Sequence, residues 1–174
     1  MALGLLGWSA TSSAAEPPEA EIILFLGDSI TYQGTYVTVI EAALITQYPD
    51  RNYRIINLGL GSETVSGLSE EGHAGGRFLR PDLHERLDRA LKQAQPDLVI
   101  ACYGMNDGIY LPLADDRFAA YQKGITRRII PTCASLAILG KHSGWRPLLK
   151  FVLEELFRIC DMFDWIVCVC GNGI

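Results

Sequence analysis

Three short apolar segments, each followed at once by a polar motif that contains glycine, restrict the possible folds of this chain more than any other feature. They run from Glu21 to Leu26, from Tyr53 to Leu58 and from Asp97 to Tyr103. A continuous apolar run of about six residues is typical of a strand that is buried on both faces of a parallel sheet. We therefore expect three parallel strands, each ending at a polar motif.

Segments with a helical spacing of apolar residues separate and follow these strands. One covers residues 35–48 and ends at Pro49, one opens at Pro81 and stops before Pro96, and one covers residues 115–130. This alternation predicts an α/β fold of three layers, α/β/α, in which helices cover both faces of a parallel, flavodoxin-like sheet. In such sheets ligands bind at the carboxyl ends of the strands, where all three polar motifs fall.

The three motifs contain a nucleophile and a set of hydrogen-bond donors. Ser29, in Gly-Asp-Ser, can present its hydroxyl above the sheet edge, with Asp28 as an orienting hydrogen-bond acceptor. Gly59 and Gly61 follow the second strand and let backbone amides turn toward a ligand. Asn106, in Gly-Met-Asn-Asp after the third strand, carries a side-chain amide that can donate to an oxyanion.

Each motif also has a purely structural interpretation. Gly-Asp-Ser is good N-cap chemistry for a helix, the two glycines suit a tight turn, and Asn106 with Asp107 suits an Asx-turn. A dinucleotide-binding fingerprint is excluded, because Thr64 stands where its third glycine would be. The occurrence of all three motifs in this order, each at a strand end, favours the chemical interpretation.

On these motifs the chain resembles the SGNH, or GDSL, hydrolase family of serine esterases, over roughly residues 21–130. The resemblance implies that Ser29 is the nucleophile and that the side chain of Asn106 is an oxyanion donor, with Asp107 in the same motif. It also implies an SGNH hydrolase fold and a reaction that needs no metal and no organic cofactor.

The second family motif implies a further oxyanion donor, the backbone N–H of a glycine five residues after an asparagine. Counted from Asn57, this place falls on Ser62, directly after Gly61. Serine keeps the backbone N–H, although its side chain narrows the pocket. The resemblance therefore assigns Ser29, Ser62 and Asn106 to catalysis, and Asp28, Gly61 and Asp107 to its support.

The last family motif, Asp-x-x-His, is absent from the sequence. In the family, this histidine takes the serine proton and the aspartate orients it. Three histidines are present, and His142, the only one late in the chain, is the candidate base, although it lacks the partner aspartate and suits a surface loop. His73 suits a substrate loop or the surface, and His84 suits a solvated helix. Without a base, a serine hydroxyl is a poor nucleophile.

The two ends of the chain differ from its middle. Residues 1–20, low in charge and rich in small residues, suit either a secretory signal that lacks its basic region or a disordered tail. The signal predicts a secreted or periplasmic protein, and the tail a cytoplasmic one. We expect residues 21–174 to form a single domain, in which the resemblance is unclear over 131–174. There, 133–139 and 165–170 suit strands and 148–163 suits a helix.

Composition excludes several other classes of protein. The net charge of -5 argues against a nucleic-acid binder, which needs a basic surface. No stretch reaches the ~18 uninterrupted apolar residues of a membrane span. The cysteines show neither a disulfide framework nor the spacing of a zinc site, so we expect buried free thiols and no metal. They are Cys102, Cys133, Cys160, Cys168 and Cys170.

Three hypotheses follow for function. The first is a serine hydrolase of small-molecule or carbohydrate esters, with acyl or acetyl groups, that works through an acyl-serine. The second is a catalytically impaired family member, in which truncation or a change of reading frame near residues 128–131 replaced the C-terminal part. The third is a non-catalytic, flavodoxin-like module that binds a small anion at the same strand ends.

Overall fold

The three apolar runs form adjacent strands of one sheet in the computed structural model of the chain, which describes residues 21–109, 111–112, 114–126 and 166–171. The strand order is β2-β1-β3-β4. The elements are β1 Ile22–Gly27, α1 Ser29–Gln33, α2 Thr35–Gln47, β2 Arg54–Gly59, α3 Leu87–Ala94, β3 Leu98–Tyr103, α4 Asp115–Gly124 and β4 Ile166–Gly171, with short 3-10 turns at His73–Gly76 and Leu83–Glu85.

The strands β1, β2 and β3 are parallel, as the continuous apolar runs predict. β1 pairs with β2 on one side and with β3 on the other, so that Gly27 lies opposite both Gly59 and Cys102. The carboxyl ends of the three strands therefore lie at one edge of the sheet. Cys102 is a buried free thiol, as expected.

β4 pairs with β3 in the antiparallel direction, with Ile166 opposite Tyr103 and Gly171 opposite Leu98. The sequence indicates a strand over 165–170 but not its direction, and an antiparallel edge strand on a parallel sheet is a common arrangement. The strand expected at 133–139, the helix expected at 148–163 and the segment 1–20 lie outside the described residues.

Two apolar cores, one on each face of the sheet, confirm the three layers. Successive side chains of a strand point to opposite faces, so β1 places Ile23 and Phe25 in one core and Leu24 and Leu26 in the other. The first core contains α2, through Tyr36, Val37, Ile40 and Leu44. The second contains residues of α3, of α4 and of the loops beside them: Val65, Leu83, Leu87, Tyr121 and Ile125.

The helix expected between Pro81 and Pro96 is divided in two. It starts as the 3-10 turn Leu83–Glu85, capped by the carboxylate of Asp82, and α3 begins only at Leu87. α3 ends at Ala94 because Gln95 turns into the left-handed region directly before Pro96. Among the described residues no helix is both long enough and apolar enough to cross a membrane.

Candidate functional site

The turn after β1 places Ser29 on the surface at the carboxyl edge of the sheet. Asp28 is fully buried and its Oδ1 accepts the backbone N–H of Ile30 at 3.0 Å, which caps α1. Ser29, the first residue of α1, is exposed. A side chain at Gly27 would overlap the side chain of Thr31 and the carbonyl of Cys102, so the tight turn requires glycine.

The end of β2 is tied to this turn by the side chain of Asn57. Its Nδ2 donates to the carbonyl of Thr31 at 2.7 Å, and its Oδ1 accepts the N–H of Gly59 at 2.9 Å. The N–H of Leu60 donates to the carbonyl of Gly27 at 2.8 Å. The loop that carries Gly61 and Ser62 thus starts from a point fixed against the segment of Ser29.

Ser62 adopts a left-handed backbone conformation, with φ of 66°. This conformation costs an L-residue about 1–2 kcal/mol relative to glycine, which adopts it freely. The left-handed conformation therefore explains why the family has glycine at this position. Gly61, by contrast, has a negative φ and open space around its Cα, so nothing in its contacts requires glycine.

Replacement of Ser62 by glycine is expected to stabilise the protein by about 0.5–1 kcal/mol, the relief of strain less the added entropy of the unfolded chain. Urea unfolding measures the change. Ser62→Ala is the matched control, because it removes the hydroxyl but keeps the Cβ that causes the strain. Equal stabilisation by both variants would show that the hydroxyl, and not the backbone, is responsible.

Glu63 anchors the same loop through its buried side chain. Its side chain is fully buried and accepts two hydrogen bonds from Arg86, at 2.5 and 2.6 Å, and one from the Tyr103 hydroxyl at 2.6 Å. Burial, followed by the Glu63 carboxylate, raises the pKa of Tyr103 above its usual value, so the phenol stays protonated and donates. Arg86 also donates to the carbonyl of Leu58 at 2.8 Å, which joins the network to β2.

Asn106 lies under this loop, 3% exposed, and its amide has a defined orientation. Its Oδ1 accepts a hydrogen bond from Arg80 at 3.0 Å, and its Nδ2 donates to the carbonyl of Glu63 at 3.2 Å. Within the described part of the chain, the second N–H of this amide has no acceptor. One donor therefore stays open for a ligand, as an oxyanion donor requires.

Asp107 braces the loop rather than its own turn. Its Oδ1 accepts the N–H groups of Val65 at 2.9 Å and Ser66 at 2.7 Å, residues that precede it by about forty positions. The Asx-turn interpretation of this side chain is therefore wrong. Asp107 thus holds the loop that also contains Ser62, and its supporting role in the site stays a prediction.

Of the three histidines, His73 lies in a charged network that reaches Asn106. Glu70 holds Arg80 by two hydrogen bonds, at 2.6 and 2.7 Å, and His73 Nδ1 lies 3.2 Å from Glu70 Oε1. The hydrogen bonds of Arg80 lower the pKa of Glu70 to about 2. His84 is half-buried, with Nε2 at 3.0 Å from the carbonyl of Val65, and is not the solvated residue that was expected.

The general base is not found among the residues described. His142 lies outside them, and no hydrogen bond of residues 21–126 that the structure describes joins the Ser29 hydroxyl to a histidine. Within the same residues no cluster of three metal-ligating side chains is present.

The sequence alone does not indicate the two ion pairs, Glu70 with Arg80 and Glu63 with Arg86, in which Arg80 and Glu63 are buried. Charges so far apart along the chain usually face solvent. The available signal was Arg80 itself, a charge between apolar Leu79 and Pro81 at the start of a helix.

Two buried carboxylates at the site each have one oxygen, Oδ2, without a partner among the described residues: Asp28 and Asp107. Burial is the main cause that raises the pKa of Asp28 from 3.8 to about 6; the charges of Asp107 and Glu63 add to the rise, and the N–H of Ile30 opposes it. Burial likewise raises the pKa of Asp107, against the N–H groups of Ser66 and Val65.

The raised pKa of Asp28 predicts a loss of stability as pH rises. A carboxyl with a higher pKa in the folded state binds its proton more tightly there, so its contribution is full below pH 3.8 and is lost up to about pH 6. The loss is about 3 kcal/mol for the shift concerned. Asp28→Asn should remove most of it.

Urea unfolding at intervals from pH 3.5 to 7.5 measures this dependence. The raised pKa of Asp107 contributes with the same sign, and the lowered pKa of Glu70 contributes with the opposite sign. Asp50→Asn, at an exposed position, is the control and should keep the pH profile of the wild type. An identical profile in Asp28→Asn would contradict the assignment.

The fold and the position of the site define a three-layer α/β protein with its candidate site at the carboxyl edge of a parallel sheet. Residues 25–157 match the model of the GDSL-like lipase/acylhydrolase family, and the chain belongs to this family. The match confirms the resemblance seen over 21–130 and extends it into the segment where the sequence motifs left it unclear. No curated protein matches the sequence significantly.

Several solved structures are similar to this chain. An α/β hydrolase, LAE5, from the metagenome of Lake Arreo is 20% identical, with 80% of this chain and 73% of that chain covered and a TM-score of 0.49. A variant of Axe2, an acetylxylan esterase from Geobacillus stearothermophilus, is 19% identical; the match covers 81% of this chain and 73% of that chain, with a TM-score of 0.50. A gut microbial diltiazem-metabolizing enzyme is 18% identical; the match covers 83% of this chain and 36% of that chain, also with a TM-score of 0.50. At this identity the likeness concerns the fold alone.

Proposed function

We propose that this acylhydrolase-family protein is a serine ester hydrolase that forms an acyl-serine at Ser29. Its substrates are small-molecule or carbohydrate esters with a small acyl group, acetyl included. The Ser62 side chain, which narrows the pocket relative to the family's glycine, supports a small acyl group. The composition of residues 1–20 supports a secreted or periplasmic location.

The observation that carries this proposal is the open N–H of Asn106 at the edge where Ser29 is exposed. Asn106 is almost fully buried, its amide oxygen is held by Arg80, and its nitrogen keeps one N–H without an acceptor among the described residues. A fixed donor of this kind is already aligned before substrate binds, which is what stabilisation of a developing oxyanion requires.

In the proposed reaction the Ser29 oxygen forms a bond to the ester carbonyl carbon, and the electron pair of the C=O moves to the carbonyl oxygen. The N–H groups of Ser29 and Ser62 and the side chain of Asn106 stabilise this oxyanion. When the carbonyl re-forms, the bond to the alcohol breaks, and the proton taken from Ser29 passes to the alcohol. Water then attacks the acyl-serine in the same way and releases the acid.

The proton acceptor for Ser29 is assigned to a residue beyond those described, with His142 as the candidate base. The alternative is a catalytically impaired member, in which the donors are built but Ser29 is not activated. A non-catalytic module that binds small anions at the same N–H groups would likewise leave Ser29 unactivated.

Labelling with a fluorophosphonate tests the proposal, because this reagent reacts with an activated serine. The purified chain is incubated with the reagent, its intact mass is measured, and the modified residue is located by peptide mapping. We expect one adduct, on Ser29, that is absent after unfolding in urea. A folded chain without an adduct would contradict the proposal and leave the impaired member or the anion-binding module.

A further inference from the structure

Arg80 is buried where its neighbours are not. Its side chain is 3% exposed, whereas Phe78 and Leu79 directly before it are 57% and 74% exposed. Burial of a charge costs free energy unless it is paired and hydrogen-bonded, and exposure of apolar side chains is also unfavourable. The backbone therefore places the charged side chain in the interior and its apolar neighbours at the surface, which reverses the usual preference. This arrangement indicates that the guanidinium has a specific role.

The hydrogen bonds of Arg80 lead to both residues that supply the proposed oxyanion donors besides Ser29. Its Nη1 lies 3.0 Å from Asn106 Oδ1 and 3.4 Å from the carbonyl of Ser62. Its other nitrogens, Nε and Nη2, donate to the two oxygens of Glu70, which hold the guanidinium plane in place.

We infer that Arg80 is a positioning residue that fixes the Asn106 amide with its N–H groups directed toward the oxyanion; this inference rests on the proposed function. A guanidinium has only donors, so an amide that contacts it must present its oxygen. The NH2 group then lies on the other side, where Glu63 accepts one N–H and the second stays open. The charge of Arg80 also polarises the amide and strengthens that donor.

Lysine cannot replace Arg80 in this arrangement. The contacts to Glu70 use two nitrogens of the planar fork while a third reaches Asn106. A lysine ammonium is a single point on a flexible stem and cannot keep both sets of contacts. Arg80→Lys therefore keeps the positive charge and removes the positioning.

A double-mutant cycle tests the inference, with the rate constant of fluorophosphonate labelling at Ser29 as readout. Arg80→Lys should lower this rate constant about 10–100-fold, somewhat less than the loss of an entire oxyanion donor. In an Asn106→Ala background the same change should lower it less than about twofold, because the group that Arg80 positions is gone. Equal losses in both backgrounds would overturn the inference.

Arg86→Lys is the matched control, since Arg86 also makes two hydrogen bonds to a buried glutamate but does not contact the Asn106 side chain. It should lower the urea midpoint, and any effect on labelling should be the same with or without Asn106. Glu70→Gln is the second variant if Arg80→Lys does not fold, because the Glu70 side chain is 25% exposed. Glu70→Gln should lower the labelling rate constant less than Arg80→Lys does, and this loss should likewise shrink in the Asn106→Ala background.

Proton exchange of the Asn106 side-chain amide, measured by NMR, separates this inference from the proposed function. We expect Arg80→Lys to accelerate the exchange at least about tenfold, as the amide loses one of its two fixed contacts. If Ser29 is not labelled in the wild type, the proposed function fails, and the exchange rates still decide the role of Arg80. If the exchange is unchanged in a folded Arg80→Lys protein, the positioning role of Arg80 is wrong, whether or not Ser29 is labelled.

Discussion

Replacement of Ser29 by alanine is expected to abolish ester hydrolysis and fluorophosphonate labelling, with a loss of about 10⁴-fold or more in rate. The reason is that, in the proposed reaction, the hydroxyl oxygen of Ser29 forms the acyl bond and no other group would replace it. Ser29 is exposed, so its truncation should change the free energy of unfolding by no more than about 0.5 kcal/mol. Hydrolysis of p-nitrophenyl acetate and urea unfolding measure the two quantities.

Two further variants give this result its meaning. Thr35→Ala removes an exposed hydroxyl at the start of α2 and should leave hydrolysis unchanged. His142→Ala should have at most a modest effect, because His142 lacks the partner aspartate of the family motif. Complete loss of hydrolysis and labelling would contradict this expectation and show that His142 takes the serine proton. Activity that persists in Ser29→Ala would show that the nucleophile has been assigned to the wrong residue.

Replacement of Glu63 by alanine is expected to destabilise the protein by about 3–5 kcal/mol. The substitution leaves the half-buried guanidinium of Arg86 without its carboxylate and the buried hydroxyl of Tyr103 without its acceptor. It also frees the loop that carries Ser62. Urea unfolding, followed by circular dichroism, measures the loss.

Glu85→Ala is the matched control for this loss. Glu85 is an exposed glutamate in the neighbouring 3-10 turn, and its truncation should cost no more than about 0.5 kcal/mol. A destabilisation below about 1 kcal/mol in Glu63→Ala would contradict a structural role for the buried ion pair.

The sequence allowed β1 and β3 to be predicted, because burial on both faces leaves a direct record in continuous apolar runs, whereas β2 at the sheet edge is half-buried or exposed throughout. The run that became β3 is buried at every position, and it ends where Gly104 begins the third motif. The direction of β4 left no such record. A short run of Val and Cys residues is compatible with a strand of either direction, so the sequence did not decide between them.

The sequence predicted where the residues of the candidate site lie in the fold, but not their backbone conformations or the buried charges that hold them. Ser29 and Asn106 lie at strand ends, and the topology of a parallel sheet brings strand ends to one edge. The left-handed conformation of Ser62 was not predictable, because serine does not mark such a position as glycine does. The burial of Glu63 and Arg80 was not predictable either, because the sequence does not distinguish a charge that is paired across ten or more residues from a solvated one.

Among the described residues, the side chains of other segments that bond to the loop from Ser62 to Ser66 come later in the chain. Arg80 and Arg86 lie beyond the loop, Tyr103 is on β3, and Asp107 follows β3. Contacts of such long sequence separation form only after the intervening chain has closed. The loop therefore gains its final shape only once β3 has joined β1. As the chain leaves the ribosome, Ser29 is therefore made before every side chain that holds the loop of its proposed donor Ser62.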